Sequence, residues 1–241
     1  MRDYRHFLFF TRQIGTDKVV LDQEETRHAV NVLRLSEGER FLATDGRGNT
    51  YRCIHGGIHN HQLEGIIEEK RFKGRTLPLI HLFIGMPERD SLETALVDCT
   101  ALGAASITPL ICEFSQKQWW KNAWQKQFQR FQNKMISSVK QSLSSWIPEL
   151  NQPTAFAHLN SLSGIVITAD PDGRSIYSNR EKIINADTIN LLIGPPGGFS
   201  PTEEKILEDP GILHVKIAAS RLRTELAASA LLAQVSGLFT D

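Results

Sequence analysis

The chain of 241 residues is long enough for two compact domains, and a hydrophobic fraction of 41% supplies the apolar side chains of a core. Basic and acidic residues both number 27, so the net charge indicates neither a nucleic-acid nor a membrane partner. Three widely spaced cysteines argue against a disulfide framework or a metal site and are typical of a cytoplasmic protein, and no apolar run approaches the ~18 residues of a membrane span.

The first 74 residues alternate short strands with glycine-rich turns. A single helix, whose apolar residues recur at helical spacing, interrupts them over residues 24–35. This pattern predicts a small β-barrel with one helix, closed by the charged linker 68–78. The expected strands cover residues 6–10, 18–21, 40–45, 50–54 and 63–69.

From residue 75 onwards, buried strands alternate with helices, which predicts a parallel α/β sheet with helices on both faces. The expected strands cover residues 77–86, 107–112, 164–170, 188–194 and 213–217. The expected helices cover residues 91–103 and 117–145, and two more begin at Pro201 and Thr224.

The bend after the strand 188–194 combines two prolines with two glycines and contains no lysine. Gly197 and Gly198 permit positive φ and a close approach to the backbone, whereas Pro195 and Pro196 remove two N–H donors. Because a phosphate loop needs amide donors and a lysine, a phosphate cradle is disfavoured. Two interpretations stay open, a ligand-binding loop and a ligand-free turn into a capped helix.

A second strand end leads into a helix about twenty residues later. Small residues from Ala218 to Ser220 are followed by Arg221, Arg223 and Glu225 at the helix start. The last two are interpreted either as a surface ion pair or as part of a site. The helix beyond them, rich in Ala, Leu and Ser, suits close packing, including packing against another chain.

These two segments resemble the ribosomal RNA small subunit methyltransferase E family. Residues 194–200 read Gly-Pro-Pro-Gly-Gly-Phe-Ser where the family has Gly-Pro-Glu-Gly-Gly-Phe-Ser, and residues 223–227 read Arg-Thr-Glu-Leu-Ala where it has Arg-Thr-Glu-Thr-Ala. Residues 28–41, 101–115 and 140–150 are similar to further family blocks in the same order. The resemblance therefore runs almost end to end.

The resemblance implies a PUA-like barrel over residues 1–74 and a SPOUT methyltransferase domain with a C-terminal trefoil knot over residues 75–241. It further implies a homodimer that binds S-adenosylmethionine in the knot and methylates N3 of one uridine in 16S ribosomal RNA or the small ribosomal subunit. No metal is expected, because the sequence has no cluster of metal-ligating residues. The implied cofactor-binding residues are Ile193, Gly194, Pro195, Gly197, Gly198, Ile217, Ala218, Leu222, Arg223 and Thr224.

Uridine N3 carries a proton at neutral pH, so the reaction needs a base or a stabilised anion. Arg223 is the candidate for stabilising charge on the uracil oxygens. Glu225 is assigned either to orient Arg223 or to accept the proton, and a helix-start ion pair is the structural alternative.

The chain departs from the family pattern at several polar positions. Pro196 replaces a glutamate, and Phe114 and Ser144 replace arginines. Lys140 replaces a glutamate, and Asp98 replaces a lysine. Ala101 replaces a glutamate, and Leu226 replaces a threonine. A second hypothesis follows, a degenerate SPOUT protein that binds ribosomal RNA without catalysis. A third, an enzyme acting on a small phosphorylated substrate, is disfavoured by the donor-poor bend.

RNA contacts are expected on the long helix and in the barrel. Residues 117–140 contain six basic side chains and no acid, and Lys126, Arg130 and Lys134 lie opposite an apolar stripe. A phosphate-binding face and a plain solvated face are the two interpretations, and Trp119 is either core or a base-stacking residue. Arg5 and Arg34 are the candidate contacts in the barrel.

Overall fold

The computed structural model describes residues 7–115, 120–121 and 123–239. It divides into two compact units. The first combines Met1–Arg75 with Ile136–Ile147, and the second combines Thr76–Met135 with Pro148–Asp241.

The first unit contains one six-stranded sheet with the order β1-β4-β5-β6-β3-β2. β1 and β4 are parallel, and the other neighbours are antiparallel. The strands are β1 (Leu8–Phe10), β2 (Gln13–Ile14), β3 (Lys18–Val20), β4 (Arg40–Thr44), β5 (Asn49–His59) and β6 (Gln62–Phe72).

The two ends of this sheet, β1 and β2, are separated by only two residues of chain, so the sheet has to curl back on itself. Thr11 holds the ends together, because its N–H donates to the Thr44 carbonyl at 3.0 Å and its hydroxyl donates to the Val20 carbonyl. The predicted barrel is thus a curled sheet in which, among the described strands, β1 and β2 do not pair directly.

The predicted helix over residues 24–35 is interrupted. Asp22 caps α1 (Gln23–Arg27) by accepting the Glu25 N–H at 2.8 Å, and a wider π-helical turn follows over His28–Val32. Arg34 then adopts φ +53, a left-handed conformation that ends the helical run. The turn buries Ala29 in a core with Phe9, Phe41 and Leu63.

The second unit is built on a parallel sheet with the order β10-β8-β7-β12-β11-β13, with β9 beside β8. The strands are β7 (Leu79–Gly85), β8 (Ser106–Ile111), β9 (Glu149–Leu150), β10 (Thr154–Ala155), β11 (Ile165–Arg174), β12 (Thr188–Ile193) and β13 (Ile212–Val215). The helices are α2 (Arg89–Ala101), α4 (Arg180–Ile184), α5 (Pro201–Leu207) and α6 (Thr224–Gly237). The helix α3 (Trp124–Gln141) begins in this unit, and its residues from Ile136 onwards belong to the first. The predicted alternation and parallel pairing are confirmed.

Helices pack on this sheet in separate groups. α2 and α6 pack against each other, and α6 also lies on β7 and β12. A separate cluster joins Leu207 of α5 to Leu110 of β8 and Leu192 of β12. Burial raises the pKa of Cys53, Cys99 and Cys112 to about 12, so these free thiols stay protonated and unreactive at neutral pH.

The long helix α3 is shorter than the sequence predicts. It begins at Trp124 and ends at Gln141, because Leu143 adopts φ +53 and the Ser144 N–H closes on the Val139 carbonyl at 3.0 Å. Its predicted apolar stripe is buried at Trp124, Phe131, Met135 and Val139. In the described part of the chain, no helix is long and apolar enough to cross a bilayer.

Candidate functional site

A cavity of about 960 Å³ opens at the carboxyl ends of β12, β11 and β13. This is where open parallel sheets usually bind ligands, and the volume suits a cofactor-sized molecule. Three segments of chain form most of its wall: residues 168–172 of β11, residues 193–199 after β12, and residues 217–225 between β13 and α6.

The bend after β12 is a tight turn closed by its own backbone. The Gly198 N–H donates to the Pro195 carbonyl at 2.8 Å, and Gly198 adopts φ +80, which favours glycine. Gly197 does not have positive φ. A side chain at Gly197 is disfavoured by close packing, because a Cβ there would lie 2.9 Å from the Cβ of Phe114.

Gly85 at the end of β7 supports this turn from behind. A Cβ at Gly85 would lie 2.3 Å from the Pro195 nitrogen, a distance that real Cβ atoms do not adopt. Only a glycine therefore lets β7 run directly beneath the 194–195 peptide. A lone glycine at a strand end gave no signal in the sequence.

The helix after the bend is capped as the sequence predicts. The Ser200 side chain accepts the Glu203 N–H at 3.3 Å, while the Glu203 carboxylate accepts the Ser200 N–H at 2.9 Å. The other oxygen of Glu203 accepts the Glu113 N–H at 2.8 Å. One buried carboxylate thus fixes both the start of α5 and the loop after β8.

Hydrogen bonds join the third segment to the bend. The Thr224 hydroxyl donates to the Gly194 carbonyl at 3.2 Å, and Arg221 donates to the Pro196 carbonyl at 3.1 Å. Gln234 of α6 donates to the Ile217 carbonyl at 2.9 Å. The two segments that carry the family resemblance therefore form one connected wall.

Arg223 and Glu225 line the cavity at the N-terminus of α6, where Arg223 is the N-cap residue. The Arg223 side chain is exposed and that of Glu225 is half-buried. Among the described residues, no ion pair joins them, so the structure does not have the surface pair that the sequence left open.

The charge around the cavity is predominantly acidic. Arg221, Arg223 and His214 are its potentially cationic side chains. They face six carboxylates, namely Glu88, Asp170, Asp172, Glu204, Glu208 and Glu225. Such a wall favours a ligand that carries positive charge and disfavours a phosphate.

His214 of β13 forms a hydrogen-bonded pair with a neighbouring strand. Its Nδ1 lies 2.7 Å from Oδ2 of Asp170, and its Nε2 lies 2.8 Å from the Leu207 carbonyl. Burial opposes the charged imidazole, but both acceptors favour it, and the net effect raises the pKa of His214. The pair fixes Asp170 at the cavity wall.

The predicted cofactor-binding residues converge on this cavity with one exception. The lining includes nine of the ten, together with Glu225: Ile193, Gly194, Pro195, Gly198, Ile217, Ala218, Leu222, Arg223 and Thr224. Gly197 is not among them, since it faces Phe114. The sequence reading missed the Asp170–Asp172 segment and His214, although the polar residues that follow a predicted strand were a usable signal.

The basic face of α3 is partly neutralised. Arg130 reaches the buried Glu93 of α2, with its Nε 2.7 Å from Oε1 and its Nη2 donating to Oε2 at 3.0 Å. The Lys134 amine lies 3.6 Å from the same carboxylate. The expectation that no acid balances this face is therefore wrong for both residues, whereas Lys126 makes no ion pair within the described chain.

Two further basic positions have different surroundings. Lys140, which stands where the family has glutamate, pairs with the buried Glu25 of the same unit. Desolvation raises the pKa of that carboxyl despite the opposing effect of Lys140. Arg34 is exposed at the end of the π-helical turn. Arg5, Lys117 and Trp119 lie outside the described residues, which contain no cluster of acidic, histidine or cysteine side chains suited to a metal.

Comparisons with known proteins define the class of this one. The family model of an RNA methyltransferase domain matches residues 75–236, and that of an RNA methyltransferase PUA domain matches residues 21–68. The chain belongs to the RNA methyltransferases, and within them to the ribosomal RNA small subunit methyltransferase E family.

Family members from two bacteria illustrate the match. The protein of Buchnera aphidicola is 27% identical, with 92% of each chain covered, and that of Synechocystis is 26% identical, with 94% of this chain and 75% of the relative covered. Both are named ribosomal RNA small subunit methyltransferase E.

Solved structures share the fold. A Legionella pneumophila protein described as a methyltransferase superposes with a TM-score of 0.83 at 25% identity, covering 98% of each chain. The Neisseria gonorrhoeae ribosomal RNA small subunit methyltransferase E superposes with a TM-score of 0.81 at 23% identity, covering 96% of this chain and 97% of its own. Each of these two proteins was solved with bound S-adenosylmethionine.

Proposed function

We propose that this protein transfers a methyl group from S-adenosylmethionine to N3 of a uridine in 16S ribosomal RNA within the small ribosomal subunit. The cavity at the strand ends carries the proposal, because it is walled by the two segments that resemble the family and lies where a parallel sheet binds its ligand. We place the reaction in the cytoplasm, where small ribosomal subunits are assembled.

The residues around the cavity fit this cofactor. The backbone of residues 193–198 offers carbonyl and amide groups to a flat adenine, and the acidic wall suits a molecule that carries sulfonium and ammonium charges. A volume of about 960 Å³ leaves room for the cofactor and part of a base. When bound, S-adenosylmethionine supplies an electrophilic methyl group.

Arg223 is placed to stabilise the uracil anion. Its guanidinium is exposed at the cavity and is not held by Glu225, so its N–H groups remain available to the negative charge that develops on O2 and O4 when N3 loses its proton. Glu225, half-buried in the first turn of α6, is the proposed proton acceptor or the group that orients Arg223.

Several further features belong to the proposal. The family resemblance supports a C-terminal trefoil knot, within which Thr224 and Arg221 would hold residues 194–196 by their hydrogen bonds. The exposed Leu226 on the small-residue helix α6 supports a homodimer. We further propose that residues 1–74 are an RNA-binding barrel, with Arg5 and Arg34 as contacts, and that residues 75–241 are the SPOUT domain, with Lys126 as the main contact on α3.

A non-catalytic RNA-binding protein is the second candidate, and Pro196 favours it because proline removes the carboxylate and the N–H of the family glutamate. The turn nevertheless closes without that N–H, and Arg221 binds the Pro196 carbonyl. Cofactor affinity separates the two candidates.

The test is calorimetric titration with S-adenosylmethionine, followed by methylation of small ribosomal subunits and identification of the modified base. We expect binding, and N3-methyluridine as the product. Gly198→Trp should abolish binding, because a side chain there projects into open space at the cavity wall. Gly198→Ala is the matched control, since it imposes the same backbone strain without the bulk.

If the wild-type protein binds no cofactor, with or without RNA, the non-catalytic RNA-binding candidate is favoured instead. Unchanged affinity in Gly198→Trp would show that the cofactor binds elsewhere.

A further inference from the structure

Phe72, which is exposed, and Trp146, which is half-buried, form an aromatic pair at the open end of the β5–β6 hairpin in the first unit. The rings of Phe72 and Trp146 meet edge to face, with their centroids 6.2 Å apart at 73°. Phe72 is 66% exposed, although an aromatic side chain of this size is normally buried. Both residues belong to the same compact unit, 74 positions apart in the chain.

The pair is held rigidly from several directions. The Trp146 indole N–H donates to the Lys73 carbonyl at 2.8 Å, and the Arg75 guanidinium lies 4.5 Å from the indole centroid. Trp146 also forms an antiparallel bridge with Arg47. This anchoring fixes the indole, so the neighbouring Phe72 ring is presented to solvent on a stiff support.

Gly48 makes this packing possible. A Cβ at Gly48 would lie 2.6 Å from the Trp146 ring and 2.8 Å from the Phe72 ring, and its φ of +92 favours glycine. The Lys73 N–H donates to the Gly48 carbonyl at 2.9 Å and closes the hairpin end. The backbone is therefore shaped around two rings of which one stays exposed.

Basic residues neighbour the exposed ring along the chain. Residues 69–75 contain four basic side chains and one acid, Glu69, whose carboxylate is paired with Arg52 and Arg71. Lys70 lies over the Tyr51 ring, with its amine 5.6 Å from the centroid. Arg47, Lys70 and Lys73 are exposed and make no ion pair in the part of the chain that is described.

We propose that Phe72 is a stacking platform for an unpaired base of single-stranded RNA, with Arg47, Lys70 and Lys73 contacting the flanking phosphates. Exposed aromatic rings beside a cationic groove are how proteins hold single strands, because every base has a face to stack and every phosphate a charge. The inference deepens the proposed function, on which it rests, by placing an RNA contact away from the residues expected from the sequence.

The experiment measures fluorescence anisotropy of a labelled oligouridine of about twelve nucleotides, and of an abasic strand of equal length and charge. Phe72→Ala should weaken oligouridine binding by about 5- to 100-fold and leave binding of the abasic strand unchanged. Phe72→Tyr, which keeps a ring, should bind as the wild type does. Lys73→Glu should weaken both strands and reduce the salt slope by about 0.7 for each lost phosphate contact.

Matched controls exist in the second unit. Tyr177 is 73% exposed, so Tyr177→Ala removes an exposed ring elsewhere, and Lys205→Glu reverses an exposed charge on α5. Neither should change binding. Thermal unfolding checks that every variant is folded, and because Phe72 is largely exposed, its loss should leave the melting temperature almost unchanged.

The outcomes separate this site from the proposed function. If Phe72→Ala binds oligouridine as tightly as the wild type, or weakens the abasic strand equally, the platform is overturned, while cofactor binding and methylation still stand. If the wild type binds no cofactor but shows the Phe72 effect, the site stands and the catalytic proposal falls. If the wild type binds neither strand, the site is overturned.

Discussion

The proposed cofactor cavity of the second unit and the basic-aromatic surface of the first are built from different parts of the chain. The turn at the cavity wall is shaped by its backbone, with Gly85 beneath the 194–195 peptide and hydrogen bonds from side chains to its carbonyl groups. The surface around Phe72 consists of side chains on a strand end. A backbone-built site tolerates a change such as Pro196, because the atoms that meet the ligand are common to all residues. A side-chain-built site depends on each residue it presents.

The largest effect should come from Arg223, to which we assign stabilisation of the uracil anion in the proposed reaction. Arg223→Ala should lower the rate of methyl transfer by about 10²- to 10³-fold, because a donor to the developing uracil anion is lost. Cofactor affinity should change little. Single-turnover rates and calorimetry separate the two quantities, and Arg223→Lys shows whether charge alone suffices. A loss confined to cofactor affinity would contradict the assignment.

Gly85→Ala tests the backbone support of the cavity. The new methyl group would lie 2.3 Å from the Pro195 nitrogen, so the turn has to move. We expect a destabilisation of about 1–3 kcal/mol and at least tenfold weaker cofactor binding. Urea unfolding and calorimetry measure both. Gly74→Ala, where no atom lies within 4 Å of the added Cβ, is the control.

Lys126 and Arg130 compare an unpaired cation with a paired one on the same helix. Lys126→Ala should weaken binding of small-subunit RNA and reduce the salt slope by about 0.7 to 0.9. Arg130→Ala should have a smaller effect, because its guanidinium already faces Glu93. Filter binding at several salt concentrations measures the difference. If both variants show the same salt dependence of RNA binding as the wild type, the basic face of α3 does not contact RNA.

The smallest effect concerns pH. Because the pKa of His214 is raised in the folded protein, its stabilising contribution is fully present below the unfolded value of about 6.5 and is lost as pH rises through the folded value. The wild type should therefore exceed His214→Gln in stability most at acidic pH, and the gap should narrow at alkaline pH. Denaturant unfolding at several pH values measures the gap. If the stability difference between the wild type and His214→Gln grew as the pH rose, the predicted direction of the pH dependence would be wrong.

Local pattern was sufficient for most of the fold. The strand 188–194, the capping box at Ser200 and the helix start at Thr224 are predicted by residues adjacent in the chain, and the structure has all three. The helix α3 was predicted too long because nothing in its hydrophobic pattern reveals the left-handed Leu143.

The missed features depend on distant parts of the chain. Glu93 reaches Arg130 across 37 positions, and His214 reaches Asp170 across 44. Phe72 and Trp146 are farther apart still, so the linker 68–78 was interpreted only as charged. Gly197 stays a predicted cofactor-binding residue, although it is not among the residues that line the cavity and a Cβ there would contact Phe114.

The hydrogen bond from Thr224 to Gly194 has a consequence for the order of synthesis. A ribosome that has made residues up to Lys216 has supplied every strand of the second sheet, yet the segment 217–225 that completes the cavity wall does not exist. If the cofactor binds where we propose, its binding has to wait until the last elements have been translated and docked. A chain truncated there would be recognisable by its inability to bind cofactor, although its sheet could still assemble.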